Sequence, residues 1–215
     1  MKKRYTFKVI IVGCARVGKS ALLKQMVCRK SLTEAEIMAG FAEKDNDRSK
    51  DMKEKEFEVG DDCIVVLEVW DAVGYDGASI TSQFYRESVG IIFLYDSTRS
   101  DTLEELQPFE DQCKKFLNFE AATCFLAANK IDDENSDAQN ITFGKARAKR
   151  ENYAAFHQVS AMRGDNVEAM FQQMAESLLA SYKEGDIQPV RHRDSVIVLN
   201  STSSNPRRKT NCDKC

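Results

Sequence analysis

"GCARVGKS", Gly13 to Ser20, is the stretch from which the fold of this 215-residue chain can be read. It matches G-x-x-x-x-G-K-[ST] and stands between an apolar, β-branched run, Phe7 to Val12, and a segment, Lys19 to Val27, with apolar residues at helical spacing. Strand, glycine loop and helix, in that order, form the context that phosphate binding requires. Glycines let successive backbone N–H groups turn inward onto phosphate oxygens, and the helix N-terminus adds partial positive charge. The Lys19 ammonium neutralises the outer phosphates, and the Ser20 hydroxyl is a hard oxygen ligand suited to Mg²⁺.

Outward from this loop, similar runs recur at Cys63 to Val69, Ile91 to Tyr95, Thr123 to Ala128 and His157 to Val159, and read as strands. Thr102 to Phe116, Thr142 to Tyr153 and Val167 to Tyr182 place apolar residues three and four apart and read as helices. Their alternation predicts an α/β domain with a mostly parallel sheet. The stretch Ala42 to Glu56, "AEKDNDRSKDMKEKE", is mostly charged with mixed sign and reads as a solvated loop or frayed helix. After Tyr182 the chain turns polar, with Pro189, Pro206 and "NSTSSN", which reads as a disordered tail interrupted by the aliphatic Val196 to Leu199.

A hydrophobic content of 42% suits one buried domain plus a tail. The net charge of −3 gives no general basic footprint, so nucleic acid is not an expected partner. Seven cysteines without paired spacing fit neither a zinc site nor a disulfide scaffold and point to a reducing, cytosolic compartment. "MKKRYTFKVIIVG" begins basic, but its apolar run is short and enters the glycine loop, unlike a signal peptide. No run is long enough to span a bilayer, so any membrane attachment is expected through the surface or a lipid.

Two further motifs turn the reading toward a base. "NKID", Asn129 to Asp132, follows the strand-like "ATCFLAA" at a strand's carboxyl end, where open α/β sheets bind ligands. A carboxylate there can accept both the ring N–H and the exocyclic amine of guanine, a pattern adenine does not offer. "VSAMRGDNV", Val159 to Val167, ends the next strand, and its Ser160–Ala161 can give a backbone N–H to the guanine oxygen.

Phosphate loop, "WDAVG", "NKID" and "VSA" stand in the order of the Ras superfamily of small GTPases, and the chain resembles that superfamily from about Tyr5 to Tyr182. In detail it looks like the Rab branch: "SITSQFYRES" at Ser79 to Ser88, "GIIFLYDSTRSDTLEEL" from Gly90 and "SAMRGDNVEAMF" from Ser160. The resemblance implies a six-stranded, mostly parallel sheet flanked by helices on both faces. It also implies a GTPase domain over residues 5–182 and a tail over 183–215. By the same resemblance Gly13, Ala15, Arg16, Val17, Gly18, Lys19, Ser20 and Ala21 surround the phosphates of GTP or GDP. Ser20 and, through water, Asp71 hold Mg²⁺, Gly74 senses the γ-phosphate, and Asn129, Lys130, Asp132, Ser160, Ala161 and Met162 hold guanine. The implied protein is a monomeric switch in vesicle-mediated transport, meeting effectors, an exchange factor and an activating protein through two switch loops.

The sequence departs from that pattern in three places. Tyr75 stands where the family usually has the glutamine that orients the attacking water, and Ala15 and Arg16 stand where glycines are common. A phenol cannot offer an amide donor and a carbonyl acceptor together, so unaided hydrolysis is expected to be slow, with Lys19, Gly74 and Tyr75 as the catalytic positions. In the first switch, family spacing puts Ser31 at an aromatic place and Met38 at a threonine place, with Thr33 nearby, which predicts fast nucleotide exchange. At the C-terminus, Cys212 and Cys215 behind Arg207, Arg208 and Lys209 resemble prenylation acceptors, although "CDKC" is neither the usual Rab pair nor a clean C-a-a-X. Val196 to Leu199 looks like the motif that docks on the prenylation escort protein ahead of the prenyltransferase, which would place the chain reversibly on an endomembrane's cytosolic face.

His157, Met170 and Met174 have ordinary packing readings, and Trp70, Phe84 and Tyr85 resemble the Rab aromatics that report the switch state, with plain packing as the alternative. The alternative function is a guanine-nucleotide-binding interaction protein with little hydrolysis and a first switch that does not move. A P-loop kinase or ATPase conflicts with "NKID" plus "VSA".

Overall fold

The computed structural model describes residues 2–28, 52–72 and 82–190. In chain order the elements are β1 (Lys3–Val12), α1 (Lys19–Cys28), β2 (Met52–Val59), β3 (Cys63–Asp71), α2 (Ser82–Tyr85) and β4 (Ser88–Asp96). They continue with α3 (Asp101–Glu104), α4 (Gln107–Phe116), β5 (Thr123–Asn129), α5 (Ala138–Arg150), β6 (Ala155–Gln158) and α6 (Val167–Glu184). The six strands form one sheet in the order β2-β3-β1-β4-β5-β6, with β2 antiparallel to β3 and every other pair parallel.

Strand periodicity divides the core in two. Phe7, Val9 and Ile11 of β1, Ile92 and Leu94 of β4 and Phe125 and Ala127 of β5 pack with α1 and α6 on one face. Their alternates Ile10 and Val12, Ile91, Phe93 and Tyr95, and Leu126 and Ala128 pack with α3, α4 and α5 on the other. Because both faces are covered, the central strands read as continuous apolar runs. Met170 and Met174 are fully buried in the first of these cores, as their helical spacing suggested.

Several boundaries differ from the sequence reading. Within the charged stretch expected to be loop or frayed helix, Met52–Glu56 begins strand β2, registered from Met52↔Trp70 to Val59↔Cys63. Phe57 is buried, and the Lys55 side chain lies over its ring and donates to Met26 O at 2.7 Å, while Lys53, Glu54, Glu56 and Glu58 stay exposed, as suits an edge strand held by its backbone. The single helix expected from Thr102 to Phe116 is two, α3 and α4. Pro108 lacks the N–H that would continue the ladder to Glu104, so the chain turns there and restarts.

Helix α5 starts earlier than expected because the Asp137 carboxylate caps it, accepting from Gln139 N at 2.8 Å. Strand β6 covers Ala155–Gln158, two residues ahead of the expected His157 to Val159, because its register on β5 starts at Phe125↔Ala155. Residues 183–190, placed with the tail by sequence, include the end of α6, a buried Ile187, and Val190, whose N–H donates to Thr6 O at 2.7 Å.

One buried ion pair joins α5 to α4. The Arg147 guanidinium donates to Glu110 Oε1 at 2.7 Å and to Leu103 O at 2.5 Å, with the two side chains 9% and 1% exposed. Removing one partner leaves the other charge buried, so Arg147→Met is expected to lower unfolding free energy by about 3–5 kcal/mol. Urea denaturation of the variant checks this, and Glu110→Leu/Arg147→Met should recover part of the loss.

Candidate functional site

The carboxyl ends of β1, β3, β4 and β5 open on one side of the sheet, and the first loop there is Gly13 to Gly18. Gly13 has φ +152°, and a Cβ on it would lie 2.2 Å from the Leu94 carbonyl oxygen of β4. Gly18 has φ +101°, and its Cβ would lie 2.3 Å from Asn129 Nδ2. Only glycine fits either place, and the backbone is thereby bent into a cradle for an anion. Arg16 also takes a left-handed φ of +66°, with Ala15 and Arg16 exposed at the rim. Val17 and Ala21 point into the core, so only their main chain faces the loop.

Lys19, at the start of α1, arches back over the loop and donates to Gly13 O and Cys14 O, each at 2.8 Å. Burial pushes its ammonium below the usual lysine range, opposed in part by the nearby Asp71 carboxylate. Ser20 Oγ donates to Asp71 Oδ2 at 2.5 Å, joining α1 to the end of β3. Hydroxyl and carboxylate oxygens in contact are a donor set that fits Mg²⁺, which binds through few protein ligands and otherwise through phosphate and water. No group of three or more His, Cys, Asp or Glu that could hold a metal occurs among the described residues.

The second half of the site is tied to the first by one side chain. Asn129, 1% exposed, donates from Nδ2 to Val17 O at 2.8 Å and accepts at Oδ1 from Ala161 N at 3.0 Å. Lys130, at φ +64°, places its ammonium 2.5 Å from Asp96 Oδ2. Asp96 is fully buried, and its Oδ1 accepts from Thr98 N at 3.0 Å and Thr98 Oγ1 at 2.8 Å. Asp132 is half-buried, Ser160 and Ala161 are buried, and Met162 lies half-buried beside them. Phosphate loop, "NKID" turn and "VSA" turn therefore share one hydrogen-bonded frame.

The Ras family model matches residues 8–180.

The chain belongs to the Ras family.

It is similar to Ras-related protein Rab-2B of Dictyostelium discoideum, with 31% identity over 176 residues, 81% of each chain. It is also similar to Ras-related protein Rab-4A of Rattus norvegicus, 29% identical over 87% of this chain and 81% of the relative. Ras-related protein RABA5e of Arabidopsis thaliana is 27% identical over 92% of this chain and 85% of the relative. The sheet order and the paired helical layers are those of the small GTPase fold, and the chain is a Rab-like small GTPase.

Gly74 and Tyr75, the first-switch positions Ser31, Thr33 and Met38, Val196 to Leu199, and Cys212 and Cys215 lie outside the described residues. Among the described residues no helix is long and apolar enough to cross a membrane. His157 is half-buried, with its ring 5.1 Å from Phe125, and burial lowers its pKa. Trp70, Phe84 and Tyr85 do cluster: Lys8 Nζ lies 5.2 Å from the centre of the Trp70 ring, donates to Phe84 O at 2.8 Å, and the Phe84 and Tyr85 rings meet edge to face at 5.4 Å. Asp96 and Arg163 are site residues that motif reading passed over. For Asp96 the signal was an acidic residue closing the apolar run "GIIFLYD".

Cys14 of this Ras-family chain lies in the phosphate loop, where a reactive thiol would matter. Burial, helped by Glu105, instead pushes the Cys14 thiol up to about 12. It therefore stays protonated through the neutral range, and the thiolate is the nucleophile. Iodoacetamide at pH 8, followed by mass spectrometry, should modify the exposed Cys28 at least about tenfold faster than Cys14. Asn129→Ala removes both ties between the loops and should cost about 2–4 kcal/mol in urea unfolding, with faster hydrogen exchange at Ala161.

Proposed function

We propose that this chain binds GTP and GDP with Mg²⁺ through the residues above and acts as a Rab-type switch in vesicle-mediated transport. The observation that carries the reading is Asn129, whose side chain holds the phosphate loop and the Ser160–Ala161 turn at once. A ligand with phosphates at one end and a base at the other suits that arrangement. Guanine is favoured because the "NKID" turn brings an acidic residue, Asp132, to a site where a purine edge would lie.

In this reading the Lys19 ammonium exchanges the Gly13 and Cys14 carbonyls for β- and γ-phosphate oxygens, and the cradle's N–H groups hold the charge that develops as water attacks the γ-phosphate in line. Mg²⁺, when bound, would supply further neutralisation of phosphate charge. Ser20 and Asp71 are the protein groups that would hold it, Asp71 through water. Gly74 senses the γ-phosphate, and Tyr75 leaves the water without an amide to orient it, so unaided hydrolysis is slow. Ser31 and Met38 at the first switch make nucleotide exchange fast, at a loss of about 1–3 kcal/mol of retention.

Effectors, exchange factor and activating protein engage the switch segments. Cys212 and Cys215 carry the lipid that holds the monomer reversibly on an endomembrane, delivered by the escort protein and prenyltransferase.

Single-turnover hydrolysis of bound GTP by purified protein tests the central claim. Wild type should retain GTP, and Tyr75→Gln should raise the rate by at least about tenfold. Equal, rapid turnover by both would mean that another group positions the water. Failure to retain either nucleotide on a filter in the presence of Mg²⁺ would sink the binding reading itself.

A further inference from the structure

We propose that Arg163 is a positioning residue for base recognition, acting by clamping the peptide that carries Asp132. The inference rests on the guanine-binding reading above and deepens it.

Arg163 reaches out of the "VSA" turn, and its Nη2 donates to the main-chain oxygen of Asp132 at 2.7 Å. The base of its side chain is itself fixed. Arg163 N donates to Ser160 Oγ at 2.9 Å, Gly164 N to Ser160 O at 2.8 Å, and Ser160 N to Asp165 O at 3.1 Å. The guanidinium thus projects from a closed turn whose first residues are buried, and it spans to the neighbouring turn.

The need for such a clamp follows from how the "NKID" turn is otherwise held. Asn129 is tied through its side chain to Val17 and Ala161, and Lys130 to Asp96. Asp132 has no equivalent: its carboxylate makes no hydrogen bond among the described residues, which leaves both oxygens for a ligand but nothing on the side chain to aim them. Aim must come from the backbone. Backbone ties around it are the long Ile131 N to Val159 O contact of 3.4 Å and the Asp133 N to Lys130 O bond of 3.1 Å inside the turn. The Arg163 bond is shorter than either, comes from a charged donor, and is the contact that links Asp132 itself to the opposite turn.

A carboxylate that must accept two parallel hydrogen bonds from a base tolerates little rotation, since such bonds weaken steeply off line. Loosening the peptide should therefore harm the reading of the base more than the holding of phosphate. The second base contact tests this selectively. Inosine diphosphate keeps the ring N–H and lacks the exocyclic amine, so the ratio of GDP to IDP affinity reports whether the carboxylate is aimed.

The experiment measures GDP and IDP affinities with Mg²⁺ by fluorescent-nucleotide competition on the full chain, comparing wild type, Arg163→Ala and Arg163→Lys, with thermal melting as a fold check. Arg163→Ala should weaken GDP by about 3–10-fold and IDP by much less, lowering the ratio, while Arg163→Lys, which keeps one charged donor, should retain part of it. An unchanged ratio in Arg163→Ala, whether both affinities persist or fall together, overturns the clamp while leaving guanine reading intact. A wild type that prefers neither nucleotide overturns guanine reading and the clamp with it.

Discussion

One buried amide holds the functional half of this molecule together. Asn129 uses a donor and an acceptor of the same side chain on two loops that arise from different strands, and it sits where water does not compete for either bond. A buried amide left half-satisfied would cost more than the bond is worth, so the arrangement is close to all or none. The phosphate loop cannot drift from the Ser160–Ala161 turn without exposing or orphaning a polar group. Glycine at position 18 is part of the same constraint, because the amide nitrogen occupies the space a Cβ would need.

Charge is arranged around this frame with equal economy. The Lys19 ammonium, drawn out of water, has two loop carbonyls for partners and Asp71 nearby, while the Lys130 ammonium is met by Asp96. Both cations thus have oxygen partners within the domain, which restrict two long side chains that would otherwise sample many rotamers. The buried Arg147–Glu110 pair plays a different part, fixing α5 against α4 on the far side of the sheet.

How far all this could be read from sequence depended on whether the partners are neighbours in the chain. The phosphate loop, "NKID" and "VSA" are contiguous, so their chemistry is spelled out in a few letters each. The central strands were legible because double burial makes them continuously apolar, from Phe7 to Val12 and from Ile91 to Tyr95. Strand β2 was not, since an edge strand is specified by its neighbour's backbone and Met52–Val59 leaves most of its charged side chains exposed. The break between α3 and α4 was legible in principle at Pro108 but was masked by helical spacing on both sides. Asp96 with Lys130, and Arg163 with Asp132, meet across about 30 residues of chain, and no local pattern announces such a pair.

The hydrogen bond from Val190 to Thr6 has a mechanical side. It fastens the segment after α6 to β1, the central strand, whose other end runs straight into Gly13. A pull applied to the chain beyond Val190 is therefore delivered to the lower end of that strand, where β3 resists it along the whole register from Lys3 to Ile11 and β4 from Lys8 to Val12. Such a load would be shared by two parallel ladders before it reached the loop from Gly13 to Gly18.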